Sequence, residues 1–414
     1  MYLGLGILWL AWVAQAWLSA LQVRKFARRF ERPRRAAFDR YRPRVAVIVP
    51  FKGLEPGLER HIEALFNQDY PDYQLVLVVE SEQDPAYPLI GRVASRCPQR
   101  RARVLMAGIA PAGTGQKVHN QITAIEHLQR EAGGEEVWVF ADSDAVPGPN
   151  WLGDLVGPLG QASKTAVTTG YRWLIPEARE GESRPSVWSC LASVMNSSVA
   201  CWCGRDEFNH AWGGSMAVRV ATAQEGGLLD LLRGSLTDDY AMTRMARRLG
   251  RRVYFVPRCL VASPAAMGLA ELVNFAHRQY LITRVYAPGL YAAALGFHAL
   301  FVSAFVSAWV VLGVELARGA GGWRWIIPAG AIALVAAGHQ VRAGFRRRAV
   351  RNAFGERGLD RLACALRLDR WATPLWMTLH GLLIVRAGFG RTMRWRGIRY
   401  RLDGPQKVRR LADR

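Results

Sequence analysis

The chain has 414 residues, half of them apolar, and a formal net charge of +22. This length allows two or three domains with a sizeable core. The mean hydropathy of +0.01 averages over two kinds of segment. Apolar residues concentrate in 2–23, 289–316 and 323–341. Each of these segments reaches the length of a membrane-spanning helix, about 20 residues.

Lysine and arginine flank these apolar segments, in 24–44, 342–351 and 391–410. Basic residues beside a span mark the cytoplasmic side and attract anionic lipid headgroups. They do not form a groove-like patch with interleaved aromatics, which argues against a nucleic-acid partner. The six cysteines show no repeated pair spacing, so we expect reduced thiols. We therefore predict an integral membrane protein whose soluble part is cytoplasmic and meets an anionic lipid bilayer, and the membrane that we expect is a bacterial inner membrane.

The N-terminal part begins with an apolar segment, 1–23, that lacks a basic start and a small-residue cleavage site. It is therefore predicted as an uncleaved transmembrane anchor. A basic juxtamembrane linker follows at 24–43. From residue 44 onward strands and helices alternate, which predicts a doubly wound, mostly parallel α/β sheet with ligands at the carboxyl ends of its strands. The predicted elements are strands at 44–50, 74–79, 102–106 and 136–141, and helices at 58–66, 86–94 and 118–129.

The strand at 136–141 ends in Asp142-Ser-Asp144. Paired carboxylates at the end of a buried strand are the oxygen ligands that Mg²⁺ and Mn²⁺ accept. The same residues, lying before Pro147, also suit a turn that closes the strand. The motif by itself leaves both interpretations open.

Further elements follow this motif along the chain. A strand is predicted at 164–169 and a helix at 185–201. Another strand, 211–219, contains Gly213 and Gly214, which would let the backbone approach a ligand closely. A helix then begins near Asp238 and Asp239, although acidic residues at a helix N-terminus are also favoured by the helix dipole alone.

The C-terminal third is predicted to meet the membrane in three ways. Residues 268–287 form an amphipathic helix at the interface, and 288–341 form a transmembrane hairpin. The basic region 342–414 contains an apolar stretch at 371–390 that is interrupted by His380 and Arg386. Crossing the membrane there would place the arginine-rich tail outside, so we expect a re-entrant or interfacial helix.

Several short motifs occur in the order found in one enzyme family. They are Pro50-Phe-Lys-Gly53, Asn67-Gln-Asp-Tyr-Pro71, Glu80-Ser-Glu-Gln-Asp84-Pro85, Gly115-Gln-Lys117-Val-His-Asn120, Asp142-Ser-Asp144 and Asp238-Asp239-Tyr240. With these, residues 45–284 and the tail 395–401 resemble the inverting, membrane-bound family 2 glycosyltransferases. Within that family the chain is most similar to the ceramide glucosyltransferase-like branch, which includes hopanoid glycosyltransferases. The resemblance implies a Rossmann-like GT-A domain over 44–267, combined with transmembrane and interfacial helices.

The resemblance also implies the reaction and its site residues. One sugar would move from a nucleotide sugar, UDP-glucose or similar, to the hydroxyl of a membrane lipid. Asp239, with Asp238 beside it, would accept the proton, and Asp144 with Asp142 would hold Mg²⁺ or Mn²⁺. The implied donor-binding residues are Glu80, Asp84, Lys117, Asp142, Arg278, Arg284 and Lys52. The implied acceptor-binding residues are Trp212, Gly213, Gly214, Gln279 and Tyr280.

The chain departs from the family pattern at one point. The arginine-tryptophan signature expected around 278–284 is absent as a dipeptide. Processive polysaccharide synthases usually carry this signature, so its absence favours transfer of a single sugar. The alternatives are a processive polysaccharide synthase and an inactive lipid-binding membrane scaffold.

Overall fold

The computed structural model describes residues 2–33, 36–55, 57–131, 133–144, 146–161, 164–204, 208–319 and 323–412. The α-helices are α1 (Tyr2–Arg29), α2 (Leu58–Phe66), α3 (Ala86–Arg96), α4 (Gln116–Glu131), α5 (Trp151–Val156), α6 (Val187–Ala200), α7 (Val220–Glu225), α8 (Leu228–Leu232), α9 (Asp238–Arg248), α10 (Leu269–Tyr286), α11 (Pro288–Ala317), α12 (Trp323–Arg361), α13 (Ala363–Trp371) and α14 (Thr373–Arg386). The strands are β1 (Val45–Pro50), β2 (Tyr73–Val79), β3 (Ala102–Met106), β4 (Val137–Ala141), β5 (Thr165–Pro176), β6 (Ser215–Arg219), β7 (Arg252–Ala265), β8 (Thr392–Trp395), β9 (Ile398–Gly404) and β10 (Lys407–Leu411).

The chain forms two compact units that are discontinuous in sequence. The helical unit contains Met1–Arg32, Leu174–Trp202 and Pro264–Gly390. The sheet unit contains Pro33–Trp173, Cys203–Ser263 and Arg391–Arg414. Because each unit is drawn from three segments, the chain passes repeatedly from one unit to the other.

The sheet unit is built on a seven-stranded sheet, in the described part of the chain, of order β3-β2-β1-β4-β6-β5-β7. Strands β3, β2, β1 and β4 run parallel, and β6 runs antiparallel to both β4 and β5. Pro50 pairs with Val78, and Ile48 pairs with Phe140. The carboxyl ends of β1, β2 and β4 therefore lie along one edge. The start of β6 joins the same edge, because Ser215 pairs with Ala141.

The central strands are covered on both faces, which explains their unbroken apolar sequences. Every residue of β1, β2 and β4 is buried. Val47 and Val49 pack with α2, α3 and α5 on one face, while Ala46 and Ile48 pack with α4, α8 and α9 on the other. Each fully buried valine or isoleucine side chain contributes about 1.5–3 kcal/mol relative to an exposed one. The predicted doubly wound, mostly parallel α/β sheet is confirmed.

The helical unit contains three helices that are long and apolar enough to cross a membrane, among the described residues. They are Leu3–Arg29, Pro288–Ala317 and Arg324–Arg361. Trp12 on α1 packs edge-on against Phe301 on α11, with ring centroids 5.9 Å apart. The last of these helices extends past the predicted end at residue 341 and is broken at Gly355, whose φ is 68°. Helix α14 has 14 residues, which is too short for a span of about 20.

Some elements differ from their predicted bounds. Strand β5 extends to Pro176, beyond the predicted end at residue 169, and β6 begins at Ser215, after the two glycines. Strand β7 and the C-terminal sheet, of order β10-β9-β8, had no predicted counterpart. Ile398, Tyr400 and Leu402 of β9 are buried at the two-residue spacing of a strand. Four arginines and a lysine in β9 and β10 mask this apolar alternation in the sequence.

Candidate active site

The polar groups of the candidate site lie at the sheet edge where β1, β2 and β4 end. Lys52 follows β1, Glu80 follows β2 and Asp142 follows β4. In open α/β sheets, ligands bind in the crevice outside the carboxyl ends of the strands, so polar side chains at this edge are placed to contact a ligand. The site has two parts, an acidic cluster and a cavity. The acidic cluster consists of Asp142, Asp144, Asp238 and Asp239 together with Lys117.

Lys117 is the cation of the acidic cluster. Helix α4 begins at Gln116, so Lys117 lies in its first turn. Its Nζ lies 2.6 Å from Asp142 Oδ1 and 3.0 Å from Asp238 Oδ1. Burial lowers the pKa of Lys117, but the two carboxylates outweigh this and raise it above its ordinary value. The amine therefore stays protonated and supplies a fixed positive charge.

Asp238 is a fully engaged carboxylate. It is 1% exposed and begins α9. In addition to Lys117, the buried amide of Gln121 donates a hydrogen bond of 2.6 Å to Asp238 Oδ2. Both oxygens are thus occupied by donors within the protein. This arrangement suits a residue that positions Lys117.

Asp239 is half-buried and differently paired. The Thr237 hydroxyl and the Tyr240 N–H, the latter at 2.8 Å, both donate to Asp239 Oδ1. Within the described ranges neither hydrogen bond reaches Oδ2. Desolvation and then the charge of Asp238 raise the pKa of Asp239 to about 6. A carboxylate with one open oxygen and a pKa near neutrality is suited to accept a proton.

The Thr237 hydroxyl helps to test the alternative that Asp238 and Asp239 only stabilise the N-terminus of α9. Thr237 occupies the N-cap position of α9 but makes no side-chain hydrogen bond to the helix backbone. Its hydroxyl holds Asp239 instead. Thr237 therefore orients the Asp239 carboxylate and does not cap α9 through its side chain.

Asp144 has the open coordination expected of a metal ligand. Its Oδ1 is buried, and no described residue donates a hydrogen bond to it, while Arg172 Nη1 lies 3.7 Å from its Oδ2. His61 Nδ1 contacts the Ser143 carbonyl at 2.7 Å and supports the loop between the two aspartates. No group of three or more possible metal-binding side chains is present in the described part of the chain. Two carboxylates nevertheless fit Mg²⁺ or Mn²⁺, because such ions usually take their other ligands from water and substrate phosphates.

The second part of the site is a cavity of about 400 Å³ at the ends of β1 and β2. Its wall includes Lys52, Glu80, Asp84 and Arg396. Lys52 Nζ lies 2.5 Å from Glu80 Oε2. Asp84 Oδ1 accepts the N–H groups of Gly53 at 2.9 Å and Ala86 at 3.0 Å. Glu80 and Asp84, between which the sequence did not decide, therefore line the same cavity, and Asp84 also ties the loop after β1 to α3.

The predicted acceptor residues Trp212, Gly213 and Gly214 precede β6 at the same edge. A Cβ on Gly213 would lie 2.6 Å from both Asp238 carboxylate oxygens and 2.7 Å from Lys117 Nζ. The backbone here approaches the acidic cluster itself. Trp212 is 6% exposed and packs against Tyr171 with centroids 6.0 Å apart.

The remaining predicted residues belong to α10 in the helical unit. Arg284 donates to the carbonyls of Gly388 and Gly390. The guanidinium carbon of Arg278 lies 5.6 Å from the Phe275 ring centroid. The Tyr280 hydroxyl is hydrogen-bonded to His380 Nε2, and the Gln279 carbonyl accepts the Thr283 hydroxyl at 2.8 Å. Their roles toward donor or acceptor stay predictions.

The structure adds residues that the sequence analysis did not select. Gln121 and Arg172 contact the acidic cluster, and Arg396 lines the cavity. Arg396 lies in the tail 395–401 that already carried the family resemblance, so this signal was available. Gln121 and Arg172 had none, because an isolated Gln or Arg within a helix or strand indicates no particular chemistry.

Comparison with known proteins identifies the family. The model of glycosyl transferase family 21 matches residues 7–408. The chain belongs to this family. The predicted resemblance to the ceramide glucosyltransferase-like branch of membrane-bound glycosyltransferases is confirmed.

Two curated relatives of this family 21 protein are ceramide glucosyltransferases. The one from Gibberella zeae is 35% identical over 107 residues, which is 24% of this chain and 20% of the relative. Ceramide glucosyltransferase 1 of Caenorhabditis elegans is 26% identical over 127 residues, 31% of this chain and 26% of the relative. The alignments thus span only about a quarter of these relatives' lengths.

Among solved structures, the chain is similar to a mannosyltransferase from Pyrobaculum calidifontis in complex with GDP-Man and Mn²⁺. The two share 19% identity with a TM-score of 0.48, over 89% of this chain and 99% of that one. A second similar structure is glucosyl-3-phosphoglycerate synthase from Mycobacterium tuberculosis, solved with Mn²⁺ and UDP-glucose. Here the identity is 17% and the TM-score 0.36, over 61% of this chain and 83% of that one.

Proposed function

We propose that this protein is an inverting glycosyltransferase of GT-A type that moves one sugar from a nucleotide sugar, UDP-glucose or similar, to a membrane lipid hydroxyl. The observation that carries the proposal is the acidic cluster around Lys117 on the same sheet edge as the cavity. A cavity of this volume suits a small-molecule ligand. The acidic cluster includes Asp239, whose pKa is raised to about 6, and Asp144, whose buried Oδ1 accepts no hydrogen bond from any described residue.

On the donor side, Lys52, Glu80 and Asp84 would surround the nucleoside, and Lys117 would face the diphosphate. The pair Asp142 and Asp144 would hold Mg²⁺ or Mn²⁺, which neutralises charge on a leaving diphosphate. Lys117 adds a positive charge whose position is fixed by Asp142 and Asp238. Such preorganised charge stabilises a transition state because it needs no rearrangement during the reaction.

On the acceptor side, Asp239 would take the proton of the lipid hydroxyl. The hydroxyl oxygen forms a bond to the anomeric carbon as the bond from that carbon to the diphosphate oxygen breaks. The proton passes to the carboxylate, and the nucleoside diphosphate leaves with the bonding electrons. A single displacement of this kind inverts the configuration of the sugar carbon.

A lipid acceptor is supported by the helical unit and by the relatives. Three described helices have the length and composition of membrane spans, and the curated relatives are ceramide glucosyltransferases. Basic residues flank the spans, which supports a cytoplasmic sheet unit and contact with anionic lipids. In this proposal the membrane is the bacterial inner membrane.

The test is sugar transfer by the purified full-length protein in lipid. The protein would be incubated with a panel of UDP- and GDP-sugars and extracted membrane lipids, with Mg²⁺ or Mn²⁺, and the products identified by mass spectrometry. We expect one lipid species that gains a single sugar, in inverted configuration. Chains of several sugars would indicate a polysaccharide synthase, and no product with any donor would indicate the inactive scaffold.

A further inference from the structure

The turn between β8 and β9 has an unusual backbone. Trp395 pairs with Ile398, so Arg396 and Gly397 form a two-residue hairpin turn. Their φ angles are 51° and 79°, the combination of a type I′ turn. Among the described residues, Arg396 is the non-glycine residue with positive φ. Asn, Asp or Gly is the usual choice at such a position. Other residues held in this backbone region cluster at ligand-binding sites, so Arg396 is a candidate for contact with a ligand.

The C-terminal sheet holds this turn in a fixed place within the sheet unit. Tyr400, Leu402 and Val408 are almost fully buried. The Gln116 N–H donates to the Tyr400 hydroxyl at 3.3 Å, and the Arg410 N–H donates to the Ala112 carbonyl at 3.1 Å. These bonds attach the sheet to the loop that leads into α4 and Lys117. The turn at Arg396 and Gly397 is therefore held by a sheet that is itself packed and hydrogen-bonded within the sheet unit.

Arg396 enters the wall of the cavity beside Lys52, Glu80 and Asp84. It forms an ion pair with Glu55, whose side chain is 8% exposed. Glu55 also accepts a hydrogen bond of 3.5 Å from the Ser143 hydroxyl, in the loop between Asp142 and Asp144. The Arg396 side chain remains 41% exposed. Its guanidinium is thus oriented by a buried carboxylate and still accessible from the cavity.

We propose that Arg396 binds the nucleobase of the donor, by stacking its planar guanidinium on the base and donating hydrogen bonds to base oxygens. This inference rests on the proposed use of a nucleotide sugar. The guanidinium group stacks on planar rings and carries donors in a fixed fork, which an amine cannot reproduce.

The charges around the cavity favour the base over the diphosphate as the ligand of Arg396. Glu80 and Asp84 line the cavity and Glu55 pairs with Arg396, whereas the basic residues lining this described wall are Lys52 and Arg396 itself. The negative balance disfavours a phosphate there. In the proposed function the diphosphate lies at Lys117, whose Nζ is held beside Asp142.

The test removes the side chain while keeping the turn. Arg396→Gly tolerates positive φ, and Arg396→Asn is a second variant that tolerates it. Arg401→Gln is the matched control, because Arg401 lies on the same small sheet, is 48% exposed and pairs with Asp403 outside the cavity. Binding of UDP and of inorganic pyrophosphate, with Mg²⁺ present, would be measured by calorimetry on the full-length protein in lipid.

We expect both Arg396 variants to bind UDP at least about tenfold more weakly, on the scale of losing one stacked cationic contact. Pyrophosphate affinity should be unchanged, and the control should match the wild type. Wild-type UDP affinity in both variants would overturn the inference, and an equal loss of UDP and pyrophosphate affinity would assign Arg396 to the phosphates. If the wild type binds UDP but the variants are unaffected, the inference alone fails. If the wild type does not bind UDP, the proposed use of a UDP-sugar fails, and this inference falls with it.

Discussion

At the scale of single residues, two adjacent aspartates have different environments. Asp238 is buried, and both its oxygens accept hydrogen bonds or ion pairs from Lys117 and Gln121. Asp239 is more accessible, and the hydrogen bonds from the Thr237 hydroxyl and the Tyr240 N–H both end on its Oδ1. Because a general base must present a free oxygen to the proton it takes, this geometry supports the proposal that Asp239, rather than Asp238, is the base.

Replacing each aspartate by asparagine separates the two roles. Asp239→Asn keeps the shape but removes the proton acceptor, so kcat should fall by ~10²–10⁴-fold with little change in UDP affinity. Asp238→Asn leaves Lys117 with a single carboxylate partner, so donor affinity and thermal stability should both fall. Sugar transfer, UDP titration and thermal melts on both variants give the comparison. An inactive Asp238→Asn beside an active Asp239→Asn would move the base by one residue.

The pH dependence of turnover follows from the raised pKa of Asp239. Desolvation and the charge of Asp238 raise this pKa to about 6, while Thr237, Lys117 and the Tyr240 N–H oppose the shift. The base works only when ionised, so kcat should rise as pH increases through about 6 and level off above it. Measuring kcat across about pH 5–8, with a donor and a metal ion that stay soluble over this range, would show the predicted rise. A flat profile over that interval would contradict the assignment.

The metal prediction depends on the unpaired oxygen of Asp144. Asp144→Asn should retain the fold, because no described residue hydrogen-bonds to that buried oxygen. Divalent-ion binding should weaken, and turnover should fall by at least ~10²-fold, the scale of losing a principal electrostatic stabiliser. Calorimetric titration of Mn²⁺ provides a readout that is independent of turnover. Full activity of this variant in EDTA would refute a metal role.

At the scale of elements, the sequence predicts most of the sheet unit and fails at its later strands. Strands β1, β2 and β4 are buried on both faces, so their composition is continuously apolar and unambiguous. Strand β7 mixes buried and exposed positions and contains prolines and arginines, and β8 to β10 are arginine-rich. Their strand character comes from tertiary pairing, which local composition does not reveal.

In the candidate site, too, the sequence locates some features, while others depend on tertiary contacts. Asp142, Asp144, Asp238 and Asp239 follow or begin regular elements, so their motifs could be located from the sequence. The pairing of Lys117 with two of these carboxylates could not be located in this way. It depends on α4, β4 and α9 meeting at one edge, and the residues concerned are up to 121 positions apart.

The segment before β6 gives a prediction at this scale. Gly213 has no side chain because the Asp238 carboxylate and Lys117 Nζ occupy the space where a Cβ would lie. Gly213→Ala should therefore displace this ion pair and lower kcat by about tenfold or more, on the scale of a misplaced catalytic group. Gly91→Ala is the control, since its Cβ would meet no atom within 4 Å. Equal activity of the two variants would show that the ion pair can shift without consequence.

At the scale of the whole molecule, the chain interleaves its two units. The sheet unit contains the acidic cluster and the cavity, and the helical unit contains the candidate spans and α10. In the proposed function, donor chemistry belongs to the sheet unit and lipid engagement to the helical unit. Substitutions in the helical unit should affect the lipid-dependent reaction without removing the capacity to bind and hydrolyse the donor.

Helix α10 offers the test of this division. Arg278→Gln should reduce transfer to a lipid acceptor in anionic vesicles more than it reduces donor hydrolysis, because juxtamembrane arginines contribute about 1 kcal/mol each to binding anionic lipid. Arg284→Gln should do the same and also lower thermal stability, since Arg284 donates to the carbonyls of Gly388 and Gly390. Arg318→Gln is the control, because Arg318 is 71% exposed and lies at the far end of α11. Equal loss of transfer and hydrolysis in the α10 variants would instead assign these arginines to the diphosphate.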